Sequence, residues 1–118
     1  MPVEQMQPAS DDFPVVTLCG SMRFREELER LGTELTMAGH VVLAPTALDP
    51  SMDLDPDQRA LLGRIHLQRV AMADEVLVVN VGGYVGEDTR REIAYARSRG
   101  TAVSYLEPQD DGQGPTDR

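Results

Sequence analysis

Four short apolar runs alternate along the chain with longer segments of helical periodicity. The apolar runs cover residues 15–19, 40–44, 76–80 and 101–105. Each is rich in β-branched or aliphatic residues, which is typical of strands that are covered on both faces in a parallel sheet. The segments between them repeat apolar residues every three or four positions, so they are predicted to be amphipathic helices. The pattern therefore predicts the element order βαβαβαβ.

Three helices are predicted between these runs. The first follows Ser21, a favourable N-cap residue, and ends at Gly39. The second covers residues 57–73 and the third residues 89–99. Because all connections are short and all strands strongly apolar, the sequence predicts a single α/β domain with a parallel sheet.

The second helix has two features that matter for function. Its N-terminus can be capped by Asp55 or Asp57, and His66 is expected to lie half-buried at the edge of its apolar face, where packing is the commoner role. The apolar face itself is predicted to follow Leu62, Ile65, Arg69 and Ala73.

The order of the strands in the sheet locates a site. Right-handed crossovers favour the flavodoxin-like (Rossmann-like) order 2-1-3-4, with helices on both faces. In this order the first and third strands are neighbours, and the chain leaves them toward opposite faces. Ligands bind at such a switch point, beyond the carboxyl ends of the strands. Two glycine-containing loops, residues 19–23 and 80–86, are expected to meet there.

Charge is concentrated at the two ends of the 118-residue chain. The net charge is −9, and residues 1–13 and 107–118 carry most of it. We expect the first segment to be a disordered leader and the second a flexible acidic tail, on either side of one α/β domain, residues 14–106. A mildly acidic domain argues against binding to polymeric nucleic acid, which requires a basic surface.

Several classes of chemistry are excluded by composition. All eleven basic residues are arginine, so a Walker A phosphate loop and Schiff-base catalysis are both excluded. The single cysteine, Cys19, cannot form an internal disulfide, and no signal-peptide or membrane-spanning pattern is present, so we expect a cytoplasmic protein without membrane association. Two histidines and one cysteine, far apart in sequence, predict no metal site and no cofactor.

The two glycine loops carry the candidate chemistry. In the first loop, Gly20, Ser21 and Arg23 offer backbone N–H groups, a hydroxyl and a cation that suit a phosphate, although Ser21 can equally serve only as a helix cap. In the second, the glycines allow close approach of a ligand, and Glu92 follows at the start of the third helix. The glycines in question are Gly82, Gly83 and Gly86.

The role of Glu92 remains open at this level. Thr89-x-x-Glu92 matches a capping box, in which both side chains satisfy free backbone N–H groups. The alternative is that Glu92 is a nucleophile, kept ionised by the helix N-terminus. A carboxylate and a phosphate tolerate each other in one crevice when a sugar ring separates them, which is the layout of a nucleotide.

Three short motifs together resemble the nucleoside 2-deoxyribosyltransferase superfamily. They are Cys-Gly-Ser-Met-Arg at 19–23, Ala-Asp at 73–74, and the glycine loop followed by Glu-Ile-Ala-Tyr-Ala at 92–96. The branch with the greatest similarity is that of the 2′-deoxynucleoside 5′-phosphate N-hydrolases and related nucleotide N-glycosidases. The similarity covers residues 15–105 and implies a flavodoxin-like fold, homodimers with sites near the subunit interface, and cleavage of an N-glycosidic bond.

The resemblance also implies roles for individual residues. Glu92 would attack the anomeric carbon and expel the base, and the glycosyl-enzyme would pass to water or to a second base. Ser21 and Arg23 would hold the 5′-phosphate, a pair that the transferases lack. Two departures concern the leaving base, because Gly86 and His66 stand where the family carries polar or acidic residues. We assign its orientation or protonation to His66, Tyr84 and Asp88.

Two other classes of function remain possible at this stage. One is a transferase that acts on unphosphorylated nucleosides. The other is a non-catalytic module, either a nucleotide sensor or a purely structural interaction domain. The sequence does not give the base or the 2′-substituent.

Overall fold

A computed structural model describes residues 12–109 as one α/β unit around a four-stranded parallel sheet. The strands are β1 (Val15–Cys19), β2 (Val41–Leu43), β3 (Glu75–Val78) and β4 (Ala102–Tyr105), in the order β2-β1-β3-β4. All three strand pairs are parallel, and Cys19 at the end of β1 lies opposite Val78 at the end of β3. The predicted fold class and strand order are confirmed.

Three α-helices connect the strands. They are α1 (Arg25–Met37), α2 (Pro56–Ala71) and α3 (Glu87–Ser98), and a 3-10 turn, Met22–Phe24, precedes α1. A second 3-10 turn, Val81–Gly83, follows β3.

The core lies on both faces of the sheet because successive strand residues point to opposite sides. Leu18 faces α1 and packs with Phe24, whereas Cys19 faces α2 and α3 and packs with Val70 and Ile93. Side chains on both faces of β1 are buried from Val16 to Cys19, which explains why this strand lacks an alternation of apolar and polar residues. One helix thus covers one face and two cover the other, so the helices occupy both faces as predicted.

The buried face of α2 differs from the predicted one. Ile65 is 39% exposed, and the residues that face the sheet are His66 and Val70, one helical turn apart. His66 is only 4% exposed, so the expectation that it would be half-buried at the edge of the apolar face is wrong. A buried imidazole is tolerated there because both ring nitrogens are hydrogen-bonded.

The predicted capping box on the third helix is also wrong. The helix begins at Glu87, its N-cap residue is Gly86, and no side chain caps it. Thr89 therefore lies inside the first turn and is buried instead of capping the helix. A full capping box is present on α2, where the Asp55 side chain accepts from the Gln58 N–H and the Gln58 side chain accepts from the Asp55 N–H. Of the two predicted N-caps, Asp55 is therefore the one that caps this helix.

The expected leader and tail lie mostly outside the described residues. Glu107, which we placed at the start of the flexible tail, is bound to the domain. Its backbone exchanges two hydrogen bonds with the side-chain amide of Asn80, and its carboxylate accepts from the Gly82 N–H. Within residues 12–109, no helix is both long enough and apolar enough to cross a lipid bilayer.

Candidate functional site

A crevice of about 880 Å³ lies beyond the carboxyl ends of β1 and β3, on the side of the sheet that α2 and α3 cover. Its walls come from the loops after β1, β2 and β3, from α2 and from the beginning of α3. This is the switch point at which the sequence predicted a ligand site. Of the predicted site residues, it is lined by Gly20, Ser21, His66, Tyr84, Gly86, Asp88 and Glu92.

The loop after β1 packs tightly against the loop after β3. A Cβ atom on Gly20 would lie 3.0 Å from the Val79 carbonyl oxygen, so only glycine allows this approach. Ser21 caps the following 3-10 turn, its hydroxyl oxygen accepting from the Arg23 N–H at 3.2 Å. The hydroxyl proton of Ser21 still has a free direction for a ligand, so capping and ligand binding are compatible for this residue.

Arg23 is not a wall residue of the crevice. Its guanidinium stacks on the Tyr84 ring, 3.8 Å from the ring centroid, and Phe24 meets the same ring edge-on at 6.0 Å. Arg23 and Tyr84 thereby join the two loops at the rim. An arginine in this place can reach a ligand at the mouth of the crevice while it remains on the ring.

The two adjacent glycines of the second loop face a different cavity. Gly82 and Gly83 have φ angles of 65° and 84°, and this left-handed backbone turns them away from the crevice. They line a separate cavity of about 580 Å³, in which the Gly82 N–H donates to the Glu107 carboxylate at 3.1 Å. The structure therefore does not bring Gly82 and Gly83 to the predicted substrate site. Of this loop's three glycines, only Gly86 remains there.

Three side chains meet at the base of the crevice, two of them on its floor and the third, Cys19, buried beneath. The Cys19 Sγ lies 3.6 Å from His66 Nε2, and Glu92 Oε1 lies 3.9 Å from the same nitrogen. Cys19 comes from β1 and points to the face of the sheet that α2 and α3 cover. His66 and Glu92 come from those two helices. His66 and Glu92 line the crevice, and the Glu92 side chain is 15% exposed.

The surroundings of His66 fix its tautomer. Arg69 NH1 lies 3.2 Å from His66 Nδ1, and arginine has only donors, so Nδ1 must be the unprotonated acceptor. The ring proton is then on Nε2 and points to the Leu18 carbonyl oxygen at 3.1 Å. Burial and the charge of Arg69 lower the pKa of His66 to about 4. A neutral, buried imidazole is a poor proton donor at neutral pH, so of the two predicted roles for His66, orienting the base fits this ionisation better than protonating it.

Burial also controls the ionisation of Glu92. Desolvation raises the pKa of Glu92 to about 7, against a smaller opposing effect of the hydrogen bond from Cys19. The sequence predicted that the helix N-terminus would keep this carboxylate ionised. Because the helix begins at Glu87, Glu92 lies beyond its first turn, where the helix dipole acts weakly and desolvation dominates.

Cys19 is a protonated thiol within 4.8 Å of the Glu92 carboxylate and is not a second nucleophile. Burial, followed by the negative charge of Glu92, raises the pKa of the Cys19 thiol far above its usual range. The thiol therefore stays protonated. Sequence analysis placed Cys19 in the motif at 19–23 but assigned it no role at the site. Its position directly before Gly20, at the end of a central strand, was the available signal.

A thiol, an imidazole and a carboxylate are ligand types that bind transition metals. The protonation state of the imidazole in this cluster does not suit metal binding. Cys19, His66 and Glu92 offer one ligand atom each, all within 4.8 Å of one another. A metal at the centre would require the lone pair of His66 Nε2, which carries the proton as long as Arg69 donates to Nδ1. The arrangement therefore does not fit a metal ion.

Arginines that sequence analysis did not assign contribute to the walls. Arg59, Arg64 and Arg91 line the crevice, and Arg91 pairs with Asp88. Glu87 adds a further carboxylate at the beginning of α3. The crevice thus presents both charges around an acidic floor, which suits a ligand with an anionic end and a polar, uncharged body.

Comparisons with known proteins support the fold alone. No family model matches the chain, and no curated protein matches it. A solved structure titled "Crystal structure of conserved protein from Enterococcus faecalis V583" is similar in fold, with a TM-score of 0.59 and 18% sequence identity. The match covers 87% of this chain and 69% of that one. At this level of identity the likeness concerns the α/β architecture and carries no statement about activity.

Proposed function

We propose that the protein is a cytoplasmic N-glycosidase that cleaves the base from a nucleoside 5′-monophosphate, with Glu92 as nucleophile. The observation that carries this proposal is the position of Glu92, a largely buried carboxylate that opens onto the crevice floor. Its neighbours are a neutral imidazole and a thiol. Among residues 12–109 no arginine lies within ion-pairing distance of it, so the carboxylate is free to react.

The reaction proceeds by two displacements at one carbon. The Glu92 carboxylate attacks the anomeric carbon while the C–N bond breaks, and the electron pair of that bond leaves with the base. Water then attacks the anomeric carbon of the glycosyl ester: its hydroxyl group goes to the sugar, its remaining proton replaces the one taken up by the leaving base, and Glu92 leaves as a carboxylate. The products are a free base and a sugar 5-phosphate. If a second base replaces water, the same intermediate gives base exchange.

The remaining crevice residues fit the other parts of a nucleotide. Tyr84 and Asp88 line the wall beside Glu92 and remain candidates for orienting or protonating the base. At the other side, the loop after β1 offers the Ser21 hydroxyl and backbone N–H groups to the phosphate, with Arg23 at the rim. The raised pKa of Glu92 makes a phosphate nearby less repulsive, since the carboxyl is partly protonated at neutral pH.

A substrate panel tests this function. We expect purified protein incubated with nucleosides and their 5′-monophosphates to release free base, measured by chromatography, from the monophosphates in preference.

Arg23→Ala should weaken monophosphate binding by roughly tenfold and change nucleoside binding little, because a charge-assisted hydrogen bond contributes about 1.5–3 kcal/mol. Equal weakening of both ligand classes would remove Arg23 from the phosphate site. Binding without release would support the sensor function, and preferential turnover of nucleosides would support the transferase.

The protein is further proposed to act as a homodimer through α2 and α3. The outer face of α2 exposes Leu61, Ile65 and Met72, an apolar surface beside the mouth of the crevice. A second copy on this surface would cover an open site that a small domain otherwise leaves in contact with water. Sedimentation at micromolar concentration should show a dimer, and a Leu61→Glu, Ile65→Glu variant a monomer. A wild-type monomer would contradict this assembly.

A further inference from the structure

Arg69 makes two hydrogen bonds that no part of the proposed reaction requires. Its guanidinium donates to His66 Nδ1 at 3.2 Å and to the Thr46 hydroxyl at 2.9 Å. Thr46 lies in the loop after β2, so the arginine is held between that loop and its own helix. This two-point attachment fixes the plane of the guanidinium against the imidazole edge.

The consequence of this contact appears at the opposite edge of the ring. With Nδ1 occupied by a donor, the only ring proton is on Nε2, which faces the Leu18 carbonyl oxygen, the Cys19 sulfur and the Glu92 carboxylate. A second ring proton on Nδ1 would point at the guanidinium. Arg69 thus opposes protonation of His66 both by its charge and by the direction of its N–H group.

We propose that Arg69 is a positioning residue for Glu92: it holds His66 as the neutral Nε2–H tautomer and so prevents an imidazolium–carboxylate pair at the crevice floor. This proposal deepens the proposed function and rests on it for its kinetic part. At 3.9 Å an imidazolium would bind the Glu92 oxygen as an ion pair. A carboxylate held in that way is a weaker nucleophile than one beside a neutral N–H and a thiol.

Charged and titratable groups reach this cluster from three elements. Cys19 faces the imidazole from β1, Glu92 faces it from α3, and Arg69 lies on the same helix as His66. Asp88 and Arg91 act on Glu92 from the beginning of α3 with opposite signs. Of these groups, only Arg69 is hydrogen-bonded to Nδ1.

The tautomer can be measured without any activity, because the chain contains only two histidines. His40 Nδ1 lies 3.2 Å from the Leu35 carbonyl oxygen, so neutral His40 must carry its proton on Nδ1. His66 is expected to carry it on Nε2. A long-range proton–nitrogen NMR spectrum of the ¹⁵N-labelled protein at pH 8 should therefore show two opposite tautomers, with His40 as an internal control. An Nδ1–H tautomer for His66 would overturn the proposal.

Two variants test whether Arg69 is the cause. Glutamine in Arg69→Gln can accept from Nδ1–H as well as donate to Nδ1, so the protonation midpoint of His66 should rise by about one pH unit or more. Arg69→Lys keeps a cation and a donor and should restore most of the wild-type behaviour. An unchanged His66 titration in Arg69→Gln would show that burial alone keeps the imidazole neutral, which overturns the proposal.

The kinetic readout separates positioning from direct substrate contact. The active form has Glu92 ionised and His66 neutral, and in Arg69→Gln the ion pair stabilises the state with one proton more. The loss of kcat/KM in Arg69→Gln should therefore lie on the acid limb of the pH profile, and activity at pH 9 should be nearly that of the wild type. Equal loss at all pH values, with weaker monophosphate binding, would make Arg69 a ligand contact instead. If wild-type protein turned over no nucleotide, the proposed function would fall, while the NMR spectra would still decide the tautomer.

Discussion

Glu92→Gln is expected to reduce turnover of the best nucleoside 5′-monophosphate by on the order of a thousandfold, equivalent to about 4 kcal/mol of barrier. An amide is a poor nucleophile toward the anomeric carbon and does not stabilise the positive charge that develops there. Binding of the nucleotide should survive or strengthen, because a negative charge leaves a crevice that holds a phosphate. Steady-state rates of base release and equilibrium binding measure the two effects separately.

Glu87→Gln is the matched control for this substitution. Glu87 lies at the beginning of the same helix, lines the same crevice and is exposed, so the variant removes one carboxylate without touching the cluster of Cys19, His66 and Glu92. It should retain most of the activity. If Glu92→Gln retained more than about a tenth of wild-type turnover, the activation barrier would have risen by less than about 1.4 kcal/mol, and Glu92 could not be the nucleophile.

Glu92→Gln should also make the protein more stable above neutral pH. Burial raises the pKa of Glu92 from 4.5 to about 7, so the folded state holds its proton more tightly than the unfolded state does. The contribution of Glu92 to the free energy of unfolding is therefore fully present below pH 4.5. It is lost as pH rises toward 7, by up to about 3 kcal/mol. Glutamine does not ionise, so Glu92→Gln should gain about 2 kcal/mol more over the wild type at pH 8 than at pH 5.

Denaturant unfolding at the two pH values measures this difference. Comparison with the variant also removes the separate pH dependence of His66, which both proteins share. Glu87→Gln should show no such gain, because its carboxylate is exposed to water in the folded protein. A gain independent of pH would mean that Glu92 is ionised in the folded protein at little cost. The buried nucleophile is thus expected to oppose stability, as is common for groups retained for chemistry.

The sheet was accessible to sequence reasoning because its determinants are local. The run Val15–Cys19 is apolar throughout, Gly39 with a φ of 97° ends the preceding helical segment, and Asp55 caps the next helix. Periodicity and turn residues of this kind fix element order, and right-handed connections then leave few arrangements of four parallel strands. The predicted crevice between the loops after β1 and β3 follows from that order alone.

The details of the site were not accessible because their determinants are distant in sequence. The burial of His66 depends on the Leu18 carbonyl group, 48 residues away, and on Arg69 at the next helical turn. Gly82 turns away from the crevice because Glu107, 25 residues later, accepts its N–H. The periodicity of apolar residues along the sequence does not indicate such distant hydrogen-bond partners. The capping box failed for a local reason: the helix begins at Glu87, two residues before Thr89, so Thr89 lies inside the first turn and is buried.

The most direct test of the central claim is the covalent intermediate itself. Wild-type protein is mixed with a cleavable nucleoside 5′-monophosphate, quenched in acid during turnover and digested, and the peptide that contains Glu92 is analysed by mass spectrometry. A double-displacement reaction predicts that this peptide gains the mass of the sugar phosphate, and that Glu92→Gln never does. Base release during turnover with the adduct on another residue, or with none under conditions that trap a known glycosyl ester, would contradict the account.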